Sequence, residues 1–275
     1  MSEITRKDYE TSHGNIAYWV TENIDPTRPF LVFLPGLTLD ARLFAEQIAH
    51  FRGSANILVW DGPAHGKSRP FKLGFSLEQA ADWLVAILTR EKFTNPVLIG
   101  QSFGSYVSQT VLRRHPRLAR GFISIDAAPL QHRYYTKYEL WQLRNTRVLL
   151  QMIPWPILRW LTARSGSSTR AGRKAVAEIT RSYSKLDFVR ISAHGYRIFG
   201  TATASNFDFT LPCPTLLICG TEDRFATAKN YNRRWAETAN LPIVWVPNAG
   251  HNANSDNPAV VNRAITEFVK TLPED

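Results

Sequence analysis

Cysteine is scarce in this 275-residue sequence: Cys213 and Cys219 are the only two, within Leu-Pro-Cys-Pro-Thr-Leu-Leu-Ile-Cys-Gly. An extended strand would hold positions so spaced about 20 Å apart, beyond disulfide reach, so no covalent staple is expected and both read as buried thiols. Long hydrophobic runs are absent too. No stretch approaches 18 uninterrupted apolar residues, and the opening MSEITRKDYETS has neither an apolar segment nor a small-residue cleavage site. Membrane spanning and secretion are therefore not expected, and a cytoplasmic protein is. Gly and Pro number only 15 and 16, while 44% of residues are apolar and 20% charged, which excludes collagen-like, low-complexity and disordered classes. There is no Gly-rich phosphate loop and no histidine or cysteine pair with zinc spacing, so neither cofactor nor metal is expected.

Acidic residues are few in one stretch. Between Leu130 and Ser205 there are 13 Lys+Arg against Glu139, Glu178 and Asp187, which accounts for the whole net charge of +10. Such a segment suits a solvated face, an anionic substrate or an anionic membrane surface; nucleic-acid binding has no motif beyond charge and is not expected.

What is present is an alternation of short apolar runs with helix-like stretches. The start reads as a hairpin turning at His13-Gly14-Asn15, and further strands are predicted at Phe30–Leu34, Ile57–Trp60, Val97–Ile99, Phe122–Ile125, Thr215–Cys219 and Ile243–Val246. Their uniform apolarity suits parallel strands buried on both faces. Helices are predicted at Leu39–Phe51, Leu77–Lys92, Phe103–His115, Ala226–Thr238 and Pro258–Thr271; Leu77, Ala80, Ala81, Leu84 and Leu88 form the stripe of a core-facing helix. The rhythm stops near Ala128. Residues 130–205 are helical in composition but poorly periodic, with breaks at Pro154, Pro156 and Gly166. The fold class that follows is α/β: an eight-stranded, mostly parallel sheet flanked by helices. Residues 1–129 and 206–275 form the core, and 130–205 a helical cap inserted after the sixth strand.

Ile99-Gly100-Gln101-Ser102-Phe103-Gly104 closes a strand and opens a helix, the context in which G-x-S-x-G presents a nucleophile on a sharp turn. A serine hydroxyl needs a base within hydrogen-bond reach and a carboxylate to orient that base. Asp223 follows the seventh strand and His251 the eighth, which brings both to the sheet edge that carries Ser102. Asp126, after the sixth strand, is a rival for the acid. His65, Asp61 and Ser68 in Asp-Gly-Pro-Ala-His-Gly-Lys-Ser read as a tight turn packed beneath the site. His13, His115, His132 and His194 have no partners by motif.

These segments, with Leu34-Pro35-Gly36-Leu37 and Gly250-His251, resemble the capped esterase- and lipase-like serine hydrolases of the α/β-hydrolase fold. The resemblance covers nearly the whole chain. It implies an oxyanion hole formed by the backbone N–H groups of Leu37 and Phe103, with Pro35 replacing the family's commoner His.

The function expected is acyl transfer to water from a small carboxylic ester or thioester, with an anionic substrate suggested by the basic segment. Trp141 and Trp155 are candidate pocket residues. Alternatives are carbon–carbon bond hydrolysis or aminopeptidase chemistry on the same three side chains, or a non-catalytic binding protein on this fold.

Overall fold

The computed structural model describes residues 4–205, 209–225 and 228–273. β1 (Ile4–Thr11) and β2 (Gly14–Thr21) form the expected hairpin, with Thr11 opposite Gly14. Gly14 adopts φ 138° at its turn, a region that favours glycine. Five short runs then form β3 (Phe30–Leu34), β4 (Asn56–Trp60), β5 (Val97–Gln101), β6 (Gly121–Ile125) and β7 (Thr215–Gly220), with β8 (Ile243–Val246) last. The spatial order is β1-β2-β4-β3-β5-β6-β7-β8. β1, β2 and β4 pair antiparallel and every other neighbour parallel.

Parallel pairing needs crossover helices, which cover both faces. Successive residues of a strand point to opposite sides, so Val32 and Leu34 join one apolar cluster and Leu31 and Phe33 the other. The first cluster is capped by α2 (Leu77–Arg90) and α3 (Phe103–Arg114), through Leu84 and Val107 among others. The second is closed by α1 (Ala45–Phe51) and α10 (Pro258–Thr271), through Phe51 and Ile265. Truncating Phe33 or Leu34 to alanine would cost about 2–5 kcal/mol. β8, at the sheet edge, is only partly buried, unlike the fully buried β3 to β7.

The helix expected at Leu39–Phe51 begins instead as a 3-10 turn, Ala41–Phe44, capped by the Asp40 side chain, which accepts from Arg42 N–H. The two thiols are free, Cys219 buried and Cys213 partly so.

Among the described residues between β6 and β7, a 3-10 turn at His132–Tyr134 is followed by four α-helices: α4 (Lys137–Met152), α5 (Trp155–Gly166), α6 (Arg170–Thr180) and α7 (Lys185–Ala204). Side-chain oxygens of Thr136, Thr169 and Ser184 cap α4, α6 and α7, while Pro154 separates α4 from α5. α4 packs on α7 and α5 on α6. After β7 come α8 (Ala228–Ala239) and, beyond β8, the short α9 (Ala253–Asp256). Asp256 on α9 accepts from the N–H groups of Ser168, Thr169 and Gly250, which ties the inserted helices to the loop after β8.

Candidate active site

β5 passes into α3 through Ser102, at φ 47° and ψ −114°. A non-glycine residue there stores about 1–3 kcal/mol of strain and persists only where its neighbours enforce it. They do so here. The Ser102 N–H donates to the Ile125 carbonyl of β6 at 2.9 Å, and the flanking glycines allow close approach: a Cβ on Gly100 would strike the Ser105 backbone, and one on Gly104 the Leu34 carbonyl. The hydroxyl is thereby raised above the C-terminal edge of the sheet.

The loops after β7 and β8 deliver its two partners. His251 Nε2 lies 2.9 Å from Ser102 Oγ, and His251 Nδ1 lies 3.0 Å from Asp223 Oδ2. A carboxylate on Nδ1 holds the ring proton there and leaves Nε2 as the acceptor facing the serine. The other Asp223 oxygen takes the Phe225 N–H at 2.9 Å, and the Phe225 ring stacks on the imidazole with centroids 4.4 Å apart. Burial disfavours the His251 imidazolium, but the charge and hydrogen bond of Asp223, helped by Asp126, outweigh it and leave the pKa above the ordinary 6.5.

Asp126 stands elsewhere. Fully buried, it accepts the N–H of Gly220 through Oδ1 and of Ala253 through Oδ2, each at 2.8 Å, and so joins the end of β7 to α9. Burial, with Asp223 nearby, pushes its pKa up to about 7. Asp126, Cys219 and Asp223 bring one donor atom each within 4.8 Å of one another. They suit a cation poorly: the carboxylates serve backbone N–H groups and an imidazole, and burial drives the Cys219 pKa up, keeping its sulfur a thiol.

Leu37 and Phe103 both border the cavity beside Ser102. Among the described residues no acceptor takes either backbone N–H. Thr38, at φ 61°, turns the chain after Leu37, while Gly36 lies so close to Gln101 that a Cβ would strike its Oε1. His65 is buried, with Nδ1 2.9 Å from the Pro63 carbonyl, and Asp61 accepts the N–H groups of Ala41 and Lys67. Both serve the turn under the site.

The cavity over Ser102 has a volume of about 590 Å³. Its walls are mostly apolar and aromatic, including Tyr106, Leu150, Leu158, Phe188 and Phe199. Two expectations need correction. Trp141 and Trp155 do not line it: Trp141 is 59% exposed on the outside of α4, and Trp155 packs against Phe188, centroids 5.3 Å apart, behind the wall. Nor does any described Lys or Arg line it, so the basic excess does not face a substrate at Ser102. The acids Asp126 and Glu139 do border the space; Glu139 is engaged by Tyr231 OH and by the N–H of Thr136.

Sequence reading passed over Gln101 and Phe225. Gln101 is the unspecified second position of G-x-S-x-G, yet its Nε2 donates to the His251 carbonyl at 2.7 Å. Phe225 follows Asp223 by two residues, a spacing that carries no signal for ring stacking.

The architecture recurs in known structures. A thermophilic esterase from Thermogutta terrifontis matches over 98% of each chain with a TM-score of 0.74 and 19% identity. An E-2-(acetamidomethylene)succinate hydrolase matches over 98% of this chain and 100% of its own, with a TM-score of 0.66 and 18% identity. In sequence, (E)-2-((N-methylformamido)methylene)succinate hydrolase of Acinetobacter baylyi is 23% identical, the match covering 88% of this chain and 91% of that protein. Such likenesses show a shared fold. With its elbow, sheet order and a family profile matching residues 31–264, the chain belongs to the alpha/beta hydrolase family.

Proposed function

We propose that the protein is a serine hydrolase of neutral, apolar carboxylic esters or thioesters. The unbroken chain of hydrogen bonds from Asp223 through His251 to Ser102 carries this reading. His251 Nε2 takes the proton of Ser102 Oγ as the oxygen attacks the acyl carbon. The N–H groups of Leu37 and Phe103 receive the negative oxygen of the tetrahedral intermediate, a contribution of about 10²–10³ in rate for each such donor. Asp223 holds the imidazole in its tautomer and stabilises its cation without taking the proton. His251 next protonates the departing alkoxide or thiolate, then activates the water that cleaves the acyl-enzyme.

Substrate preference is read from the walls. A substrate carboxylate buried without a cation is costly, and the described lining offers none. The succinate hydrolases among the relatives act, by name, on dicarboxylates, for which this lining is ill suited. An aminopeptidase would need a free carboxylate for the substrate ammonium, and Glu139 is already engaged.

Initial rates on p-nitrophenyl esters of increasing chain length, beside a carboxylate-bearing p-nitrophenyl hemisuccinate, test this. The neutral esters should win by about tenfold or more in kcat/KM, since each tenfold is only 1.4 kcal/mol. Faster cleavage of the hemisuccinate would overturn the substrate assignment.

A further inference from the structure

Every exposed large hydrophobic among the described residues lies in the inserted helices: Tyr138, Trp141, Val148, Leu149 and Met152 on α4, Ile157, Trp160 and Leu161 on α5, and Leu186 at the start of α7. On α4 they recur at helical spacing along one stripe, beside the face that borders the cavity through Glu139, Gln142, Thr146 and Leu150. The three helices meet at one corner. Only Ile153 and Pro154 separate α4 from α5, and Lys185 Nζ donates to the Gln151 carbonyl at 2.8 Å, drawing the start of α7 to the end of α4. Met152, 76% exposed, stands at that junction. Exposed apolar side chains gathered around one such corner mark an interaction site.

Its surroundings are cationic. A groove between α5 and α6 is bordered by Arg159, Arg164, Arg170, Arg173 and Lys174 around Trp160. Of the segment's acids only Glu178 reaches this groove, pairing with Lys174 at 3.8 Å, while Glu139 turns to the cavity and Asp187 caps its own helix with Ser184, so the cations stay in excess. Tryptophan and aliphatic side chains beside a cluster of Arg and Lys match the layering of a bilayer interface, with acyl chains beneath anionic headgroups. A second copy of the same face would set like charges against each other.

We propose that the outer face of α4 and α5 docks onto an anionic lipid bilayer, with Leu149, Met152, Ile157 and Trp160 entering the acyl boundary and the α5–α6 cations meeting lipid phosphates. Leu161 is both partly exposed and part of the cavity wall, so the docked face continues into the chamber above Ser102. Docking itself does not depend on the ester reading.

Sedimentation of the full chain with vesicles of phosphatidylcholine alone, or with phosphatidylglycerol added, tests it. The M152D/I157D double variant alters two solvent-facing side chains that do not line the cavity, and turnover of a water-soluble ester monitors its fold. Binding should require phosphatidylglycerol, fall about tenfold or more at about 0.5 M salt, and be lost in the double variant with ester turnover retained. R164E is a second variant, expected to weaken binding without removing any apolar group. Equal binding by wild type and the double variant overturns the proposal. So does failure to bind anionic vesicles, or a wild-type dimer that M152D/I157D converts to monomer without any vesicle binding.

Discussion

The side-chain amide of Gln101 donates to the backbone carbonyl of His251 at 2.7 Å, so the residue before the elbow serine also holds the loop that carries the imidazole. Gln101 is fully buried and touches neither Asp223 nor the serine hydroxyl through a hydrogen bond, which makes it a positioning residue. Gln101→Leu keeps much of the volume and removes the donor. Misplacing a reacting group by about 1 Å costs on the order of 10²-fold in rate, so kcat should fall by roughly 10–10²-fold with KM little changed. A KM effect without loss of kcat would assign Gln101 to substrate binding instead.

The two buried aspartates separate by their partners. Asp223→Asn puts an amide against His251 Nδ1 and favours the wrong tautomer, and about 10⁴ in kcat should be lost with thermal stability near wild type. Asp126→Asn sets an NH₂ group against one of the backbone donors of Gly220 and Ala253, so it should cost about 1–3 kcal/mol in stability. Its kcat should fall far less. Denaturation and steady-state rates on both variants check this, and a reversed pattern would make Asp126 the acid of the triad.

Proton linkage gives a third prediction. His251 must be neutral at Nε2 to act as a base, and its pKa is raised, so kcat/KM should climb with pH along a limb centred above 6.5. Removing the charge of Asp223 removes the largest raising influence, so the limb of Asp223→Asn should move to lower pH. For stability, the folded protein holds protons at His251, and at Asp126 with its pKa near 7, that the unfolded chain releases more readily. The contribution of these sites is complete below the unfolded pKa values and lost as pH rises through the folded ones. Tm should therefore decline as pH rises from about 4 through 7, through Asp126, and further above 6.5 through His251, with the first part missing in Asp126→Asn.

Elements with strong local rules were legible in the sequence. β3 and β8 begin and end at the residues the apolar runs predict, and α10 starts at Pro258, where proline suits a first helical position. Ser102, Asp223 and His251 could be named because each follows an apolar strand, and parallel strands deliver their ends to one edge. The inserted helices were harder. α4 carries apolar residues on both its cavity-facing and outer faces, which erases the stripe that would show which side Trp141 occupies. The basic excess was visible as a count but not as a location, since only packing shows that α5 and α6 turn those cations outward. Gln101 acts through a backbone carbonyl 150 positions away, a partner with no side-chain signature.

Labelling with a fluorophosphonate, followed by peptide mapping and ester kinetics of Ser102→Ala, tests the central claim most directly. The adduct should fall on Ser102 alone, and the alanine variant should fold normally, refuse the label and lose about 10⁶ in kcat. Ester turnover near the wild-type rate in the folded Ser102→Ala protein would contradict the account.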